Sequence, residues 1–244
     1  MPIRIGSRIF APRVVTTLLT VALIALLVSL GRWQLRRADE KRALYDSFAA
    51  GADATQPVTL ATPRLRRYQH IEARGRYDES RQVLIDNMVE AGRAGYFVIT
   101  PFALAGGGWV LVNRGWVPLG RSRAELPAIP VTGDTRVIHG RADNMPSPGI
   151  QLGTKALLSP PYPVVAAFPS RGEIARLLKE AEPSWAGAAD LVLLDAGEPD
   201  GLVRHWSAPG FPPMRHTAYA VQWFALALTL AVIYVVTNLR RAVP

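Results

Sequence analysis

Two long uncharged apolar segments, one near each end of the chain, constrain its fold more than any other feature of the sequence. Val14–Leu30 contains 17 residues and Thr217–Leu239 contains 23, and neither holds a charged residue. At 1.5 Å per residue in a helix, the second segment extends roughly 34 Å, enough to cross the ~30 Å hydrocarbon layer of a membrane. The first is at the short end of the range and becomes adequate when Gly31 is included. The sequence therefore predicts transmembrane helices over residues 14–31 and 216–239.

A cleaved signal peptide is the alternative interpretation of the first segment. Arg4, Arg8 and Arg13 form the basic start that such peptides share. However, the apolar stretch is long for a signal peptide, and Val28-Ser29-Leu30 is a poor match to a small-x-small cleavage site. The sequence favours an uncleaved anchor.

The distribution of charge leaves the orientation of the two helices open. Residues 1–13 and 240–244 hold five arginines and no acidic residue, whereas all 19 acidic residues lie between the apolar segments. Basic residues also crowd the start of the intervening region, from Arg32 to Arg42. Because long loops translocate largely regardless of charge, counting basic residues does not decide which side this region occupies. Two spans do place both tails on one side of the membrane.

The region between the apolar segments changes from a helical to a strand-like pattern. Residues 32–50 predict a helix that continues from the membrane and stops at Gly51, and Arg171–Glu182 has a second helical pattern. Gly106-Gly107-Gly108 is a hairpin signal. Short segments rich in β-branched and aromatic residues predict strands at Tyr68–Tyr77, Arg81–Asn87, Gly95–Leu104, Trp109–Val117, Thr135–Arg141 and Leu191–Leu194.

These patterns predict the fold class. We expect an α+β membrane protein in which the two transmembrane helices, near the N- and C-termini, flank an antiparallel β-rich domain over residues 32–215. Five or six strands with one or two short helices suggest a closed or nearly closed sheet, as in a barrel or a sandwich. Residues 143–170 hold six prolines and predict an irregular excursion.

The residue inventory excludes several kinds of chemistry. The chain has no cysteine, which excludes disulfides, CxxC redox chemistry, cysteine-ligated zinc and thiolate copper sites. The net charge is +9, but no phosphate-binding loop is present and basic residues do not alternate with aromatic ones, so nucleic acid is not an expected partner. No nucleophile elbow and no carboxylate pair stand out, and we expect a protein that is not an enzyme.

His216 stands at the start of the second apolar segment, where an ionisable residue favours a functional role. A flat apolar macrocycle could lie along its side of the helix while the imidazole reaches the metal, as an axial histidine does in haem proteins. An aromatic belt packed against the first helix is the alternative, and the pattern leaves both open. Gln222, on another side of the helix, is a candidate for a hydrogen bond to the first helix. The residues that helical projection places beside His216 are Tyr219, Ala220, Trp223, Ala227 and Tyr234.

Three segments of the chain together resemble a known family. The first follows the first apolar segment, the second spans two predicted strands, and the third opens the second apolar segment. The first reads Leu30-Gly31-Arg32-Trp33-Gln34-Leu35-Arg36-Arg37. The second reads Gly95-Tyr96-Phe97-Val98-Ile99-Thr100-Pro101-Phe102, followed by Val110-Leu111-Val112-Asn113-Arg114-Gly115-Trp116-Val117-Pro118. The third reads His216-Thr217-Ala218-Tyr219-Ala220-Val221-Gln222-Trp223-Phe224-Ala225-Leu226-Ala227. In this order they are similar to the Surfeit locus protein one family, the cytochrome oxidase assembly factors of bacteria and mitochondria.

The resemblance implies a function and a location. It implies an assembly factor that binds haem a and assists its insertion into subunit I of a haem-copper oxidase, with haem a synthase and the lipid bilayer as further partners. It also implies the cell inner membrane, a periplasmic domain and cytoplasmic tails. The residue matching the suggested haem ligand is His216, an axial ligand to the iron, with Tyr219 and Trp223 in the same motif.

Arg37 and Trp33 complete the residues that we expect at the cofactor. The planar guanidinium of Arg37 would suit a haem propionate. An ordinary cluster of positive charge beside a belt tryptophan is the alternative interpretation of this turn. A membrane scaffold that assembles oxidase subunits without binding haem is the alternative function.

Overall fold

The computed structural model describes residues 3–5, 8–50, 55–147, 157–178, 185–199, 202–208 and 210–241. The chain divides into two compact units. One contains Met1–Asp46 and Ala208–Pro244, and the other contains Ser47–Ser207. In chain order the elements are β1 (Ile3–Ile5), β2 (Arg8–Phe10), α1 (Val14–Ala50), β3 (Gln56–Pro57), β4 (His70–Tyr77), β5 (Val83–Glu90), β6 (Arg93–Leu104), β7 (Trp109–Pro118), β8 (Arg136–Asp143), β9 (Val164–Ala166), α2 (Arg171–Leu178), β10 (Leu191–Leu194), α3 (Pro213–Asn238) and β11 (Leu239–Arg241).

The first unit is built on α1 and α3, which contain the two predicted spans. Both are long and apolar enough to cross a membrane. The span predicted at 14–31 and the helix predicted at 32–50 form one continuous helix, α1. Helix α3 begins at Pro213, earlier than predicted, because proline suits the first helical turn, where its missing N–H leaves no hydrogen bond unmade.

The two helices run antiparallel, as three contacts show. The side chains of Gln34 and His216 are hydrogen-bonded at one end, and those of Thr17 and Tyr234 at the other. Between them, the ring of Phe224 fills the space beside Gly31, 2.6 Å from where a Cβ would lie. Beyond the Thr17 end, a three-stranded antiparallel sheet, which the sequence did not predict, places β2 between β1 and β11.

The second unit is a closed barrel. Strands β4, β8, β10, β7 and β6 are hydrogen-bonded in that order, and β6 returns to β4 to close the ring. Alternate residues of these strands point inward and form the barrel core, which is apolar and includes Ile71, Phe102, Val112, Ile138 and Val192. The prediction of a closed, β-rich domain is confirmed, as is the Gly106-Gly107-Gly108 hairpin between β6 and β7.

Not every strand pair is antiparallel as expected. Strand β10 lies parallel to β7 while it pairs antiparallel with β8, and the short strands β3 and β9 are also added in parallel. A parallel neighbour requires a long connection, and the excursion between β8 and β10 supplies one. Strand β9 lies within the stretch that the proline content predicted to be irregular.

A second layer covers the outer face of the barrel. Helix α2 presents Ile174, Leu177 and Leu178 to a cluster that includes Ile99 and Leu111 from the outer faces of β6 and β7. A capping box begins this helix: Ser170 Oγ accepts from the Glu173 N–H, while the Glu173 carboxylate accepts from the Ser170 backbone N–H. The predicted continuation of α2 to Glu182 lies outside the described residues.

The Asn113-Arg114-Gly115-Trp116 segment of β7 has a structural role that the sequence did not reveal. Arg114 is fully buried and donates to the side chain of Gln82 and to the carbonyls of Ile129 and Pro130. Gly115 has φ +130°, and Val203 O lies 2.7 Å from where its Cβ would be. This segment therefore fixes the connections around the barrel.

Candidate functional site

His216 lies in the first turn of α3 and contacts the other apolar helix. Its ring atom Nδ1 is 2.9 Å from Oε1 of Gln34 on α1. A side-chain amide oxygen can only accept a hydrogen bond, so Nδ1 carries the proton and donates it. In the neutral imidazole the lone pair then resides on Nε2, so Nε2 is the nitrogen that can act as a metal ligand.

The stripe predicted beside His216 is divided between two roles. Ala220 is fully buried and Ala227 is 6% exposed, so the small residues lie in the packed face of α3. Tyr234 also belongs to this face, through its hydrogen bond to Thr17. Tyr219 is 48% exposed and Trp223 is half-buried, so the aromatic residues near His216 lie at the margin of the packed face.

The prediction that Gln222 bonds to the first helix is wrong. Gln222 is exposed, and none of the hydrogen bonds that join the described parts of α1 and α3 includes it. The polar links come instead from His216 and Tyr234, which face α1. Hydropathy alone identified α3 as an apolar helix, but it did not show which polar side chains of α3 face α1.

The predicted residues on α1 lie on the same flank of the helix pair as the exposed aromatic residue on α3. Seen from the end that carries His216, successive residues turn by about 100°, anticlockwise along α1 and clockwise along α3. Starting from Gln34 and His216, which face each other, this geometry places Trp33, Arg37 and Tyr219 on one flank. Trp33 is 48% exposed, like Tyr219. Exposed aromatic surface therefore borders the imidazole from both helices.

Arg37 is paired within its own helix. Its guanidinium lies 2.5 Å from Glu40, three residues further on, and the two side chains are 50% and 59% exposed. An exposed pair of this kind contributes about 0.3–0.5 kcal/mol, so an incoming carboxylate could replace Glu40 at little cost. The flank beside His216 thus offers aromatic faces and a cation.

Two of the other three histidines are hydrogen-bonded to carboxylates. His205 Nδ1 is 2.7 Å from Glu90, and His139 Nδ1 is 2.9 Å from Glu198. The hydrogen bond that the Glu198 carboxylate accepts raises the pKa of His139, against a smaller opposing effect of burial. Within the described residues, no group of three or more His, Asp or Glu side chains is arranged to hold a metal ion. His216 differs because its partner is a neutral amide.

Sequence reasoning placed Gln34 in a motif but gave it no role at the site. The signal that could have found it is its position at the end of an apolar helix, opposite a histidine at the start of another. In an antiparallel pair of such helices, these two positions lie at the same level. Whether the two side chains touch depends on which face of α1 packs against which face of α3, and sequence periodicity does not specify this.

The fold defines a class of protein with two helices that are long and apolar enough to cross a membrane, one before and one after a β-barrel domain in the sequence. Comparison with known proteins makes the assignment more specific. The sequence profile of the SURF1 family matches residues 21–228, and the chain belongs to this family, which is known for cytochrome oxidase assembly factors.

Two relatives illustrate the similarity. A SURF1-like protein from Rickettsia felis is 24% identical over 231 residues, which cover 91% of this chain and 96% of that protein. Surfeit locus protein 1 from Takifugu rubripes is 30% identical over 115 residues, which cover 39% of this chain and 48% of that protein. The match to the SURF1 family includes both Gln34 and His216.

Proposed function

We propose that this chain binds haem a through His216 and assists its insertion into subunit I of a haem-copper oxidase. One observation carries the proposal: Nδ1 of His216 is bonded to Gln34, which leaves Nε2 to act as a ligand. Haem iron takes a neutral imidazole nitrogen as an axial ligand. Membership of the SURF1 family supplies the link to oxidase assembly.

The residues around His216 would have separate tasks in holding the cofactor. Trp33 and Tyr219 offer exposed aromatic surface to an apolar ring, and Trp223 lies two turns along α3 from the ligand. Arg37 would exchange its weak pairing with Glu40 for an acidic substituent of the cofactor. The flank on which they lie is exposed, which suits a protein that must pass its cargo on.

A single protein ligand would also suit a carrier. The apolar segment Val14–Leu30 contains no His, Met, Cys or Tyr, so it supplies no second ligand to the iron. We further propose that the chain acts without catalytic activity of its own. Subunit I would be the recipient, and haem a synthase the source, of the cofactor.

The location follows the same proposal. The chain would reside in the inner membrane through α1 and α3, with the barrel in the periplasm and both tails in the cytoplasm. The support is the length and apolar character of the two helices, which run antiparallel.

A scaffold that does not bind haem is the second candidate function, and one observation favours it. Ala220 and Ala227, on the stripe that the sequence assigned to the macrocycle, are already buried in the packed face of α3. In this alternative, the hydrogen bond between Gln34 and His216 would serve only to join the helices.

The absorbance of the purified protein separates the two functions. The full chain, prepared from cells that make haem a, should retain a Soret band, and the His216→Ala variant should lose most of it while still inserting stably. His205→Ala is the matched control, because this exposed histidine pairs with Glu90 in the barrel unit. A parent protein without haem, or a His216→Ala variant with an unchanged spectrum, would contradict the proposal.

A further inference from the structure

We propose that Gln34 is the positioning residue for His216: its amide oxygen selects the imidazole tautomer that has its lone pair on Nε2 and limits how strongly that nitrogen binds a metal. Only the second part of this inference, the strength of metal binding, rests on the proposed function. The tautomer itself is a property of the chain and can be measured without any cofactor.

The contact between the two side chains is specific. Gln34 and His216 are 182 residues apart in sequence, yet Oε1 and Nδ1 are 2.9 Å apart, an ordinary length for a hydrogen bond. Within the described residues, this is the only hydrogen bond made by the imidazole. With Oε1 of Gln34 facing the ring, this hydrogen bond requires the proton on Nδ1.

The neighbouring packing holds Gln34 in place. Gly31, one turn earlier on α1, lets the ring of Phe224 approach closely, and Ala38, one turn later, is buried. Gln34 itself is half-buried between these two positions. A hydrogen bond in a partly desolvated place is electrostatically stronger than one in water, so the imidazole orientation is well defined.

The choice of an amide over a carboxylate has a chemical consequence. A carboxylate on the second ring nitrogen makes a metal-bound imidazole more basic and strengthens its bond to the metal. The chain uses carboxylates for His139 and His205, whose partners are Glu198 and Glu90. At His216 the acceptor is the neutral amide of Gln34, which fixes the tautomer without strengthening the bond between the imidazole and the metal. A weaker bond suits a carrier that must release its cargo.

The first arm of the test requires no haem. The imidazole nitrogens of the full chain, labelled with ¹⁵N-histidine and held in detergent in alkaline buffer, report the tautomer directly, and His216→Ala identifies the signal. We expect the Nδ1–H form in the parent protein. Gln34→Leu should shift the signal toward the Nε2–H form. An unchanged tautomer in Gln34→Leu would overturn the proposal.

Two matched controls separate positioning from helix packing. Gln222→Leu removes an exposed glutamine from α3, and Tyr234→Phe removes the hydrogen bond at the far end of the pair. Both should leave the tautomer of His216 unchanged. A shift of the same size in Tyr234→Phe would mean that general loosening of the helices, and not Gln34, controls the imidazole.

The second arm uses the chain loaded with ferrous haem a. The iron–histidine stretching frequency should fall in Gln34→Leu and rise in Gln34→Glu, because the carboxylate increases the basicity of the ligand. Gln34→Leu should also weaken haem a binding by roughly 10- to 100-fold. Equal frequencies in the parent protein and both variants would overturn the second half of the proposal.

The two arms fail in different ways. If Gln34→Leu changes the tautomer but His216→Ala still binds haem a, Gln34 positions the imidazole and the proposed ligand is wrong. If His216→Ala loses haem a but Gln34→Leu changes neither the tautomer nor the stretching frequency, the ligand stands and the role of Gln34 is wrong.

Discussion

The hydroxyl groups of Thr17 and Tyr234 lie 2.6 Å apart and join α1 to α3 at the end opposite to Gln34 and His216. Residues 17 and 34 are separated by roughly 26 Å along α1, close to the thickness of a membrane's hydrocarbon layer. These two interhelical hydrogen bonds therefore lie at the two ends of an apolar interface, where polar side chains are least costly to place.

The packing between these two ends depends on Gly31. Gly31→Leu should force the ring of Phe224 away and cost about 1–3 kcal/mol of helix pairing. The chain has no native cysteine, so Thr17→Cys with Tyr234→Cys can be joined by a short bismaleimide. Cross-linking should be efficient in the double variant and should decline when Gly31→Leu is added. Ala25→Leu, on the exposed side of α1, is the control, and an equal decline there would contradict the role of Gly31.

Arg37 and Arg42 form a matched pair for testing the cation at the site. Each pairs with an acidic residue three positions away, Arg37 with Glu40 and Arg42 with Asp39, and both arginines are exposed. Helix geometry places Arg42 on the other flank. Arg37→Gln should reduce haem a retention several-fold, since an exposed ion pair contributes up to about 1 kcal/mol, and Arg42→Gln should not. Equal losses in a haem titration would indicate a general effect of positive charge.

Arg114 should be essential for the barrel. Replacing it by Leu removes the Arg114 donor to the Pro130 carbonyl, and one of two donors to both the Gln82 side chain and the Ile129 carbonyl, which costs on the order of 3 kcal/mol. Thermal unfolding of the full chain should therefore occur at a clearly lower temperature in Arg114→Leu. Arg74→Leu, an exposed position on β4, should change the free energy of unfolding by less than about 0.5 kcal/mol. Similar stability of the two variants would refute this role.

The pairing of His139 with Glu198 predicts a pH-dependent contribution to stability. Glu198, with Glu72 as a second carboxylate, raises the pKa of His139 above its ordinary 6.5. A raised histidine pKa stabilises the fold fully below about pH 6.5, and the contribution is lost as pH rises through the folded-state pKa. Glu198→Gln should therefore lower the free energy of unfolding by less than about 1 kcal/mol in mildly acidic buffer, measured as a lower melting temperature, and should not do so in alkaline buffer. A difference that persists at alkaline pH, or that Glu125→Gln reproduces, would contradict this account.

The proposed orientation can be tested with reporter fusions. Alkaline phosphatase inserted after residue 150 should be active, because that enzyme folds only outside the cytoplasm. A cytoplasmic reporter at the same position should be silent. The same two reporters after residue 244 should give the opposite result, and the reverse pattern at both positions would overturn the proposed topology.

Much of the architecture could be predicted because local sequence patterns indicate it. Uncharged length identified both long helices, and alternation identified the six main strands. The parallel entry of β10 beside β7 could not be predicted in this way, since it depends on the path of a long connection and not on local periodicity. The same limit applied at the site: His216 was found from its position, whereas Gln34 acquired a role only from the face that α3 turns toward α1.

The small sheet of β1, β2 and β11 can form only late in the synthesis of the protein. Strand β2 leaves the ribosome early, but its partner β11 follows more than two hundred residues later, and Phe10 pairs with Leu239 across that interval. The sheet cannot close until α3 has been synthesised and has turned back along α1. The sheet therefore closes late in biogenesis, and only in chains whose two helices have already come together.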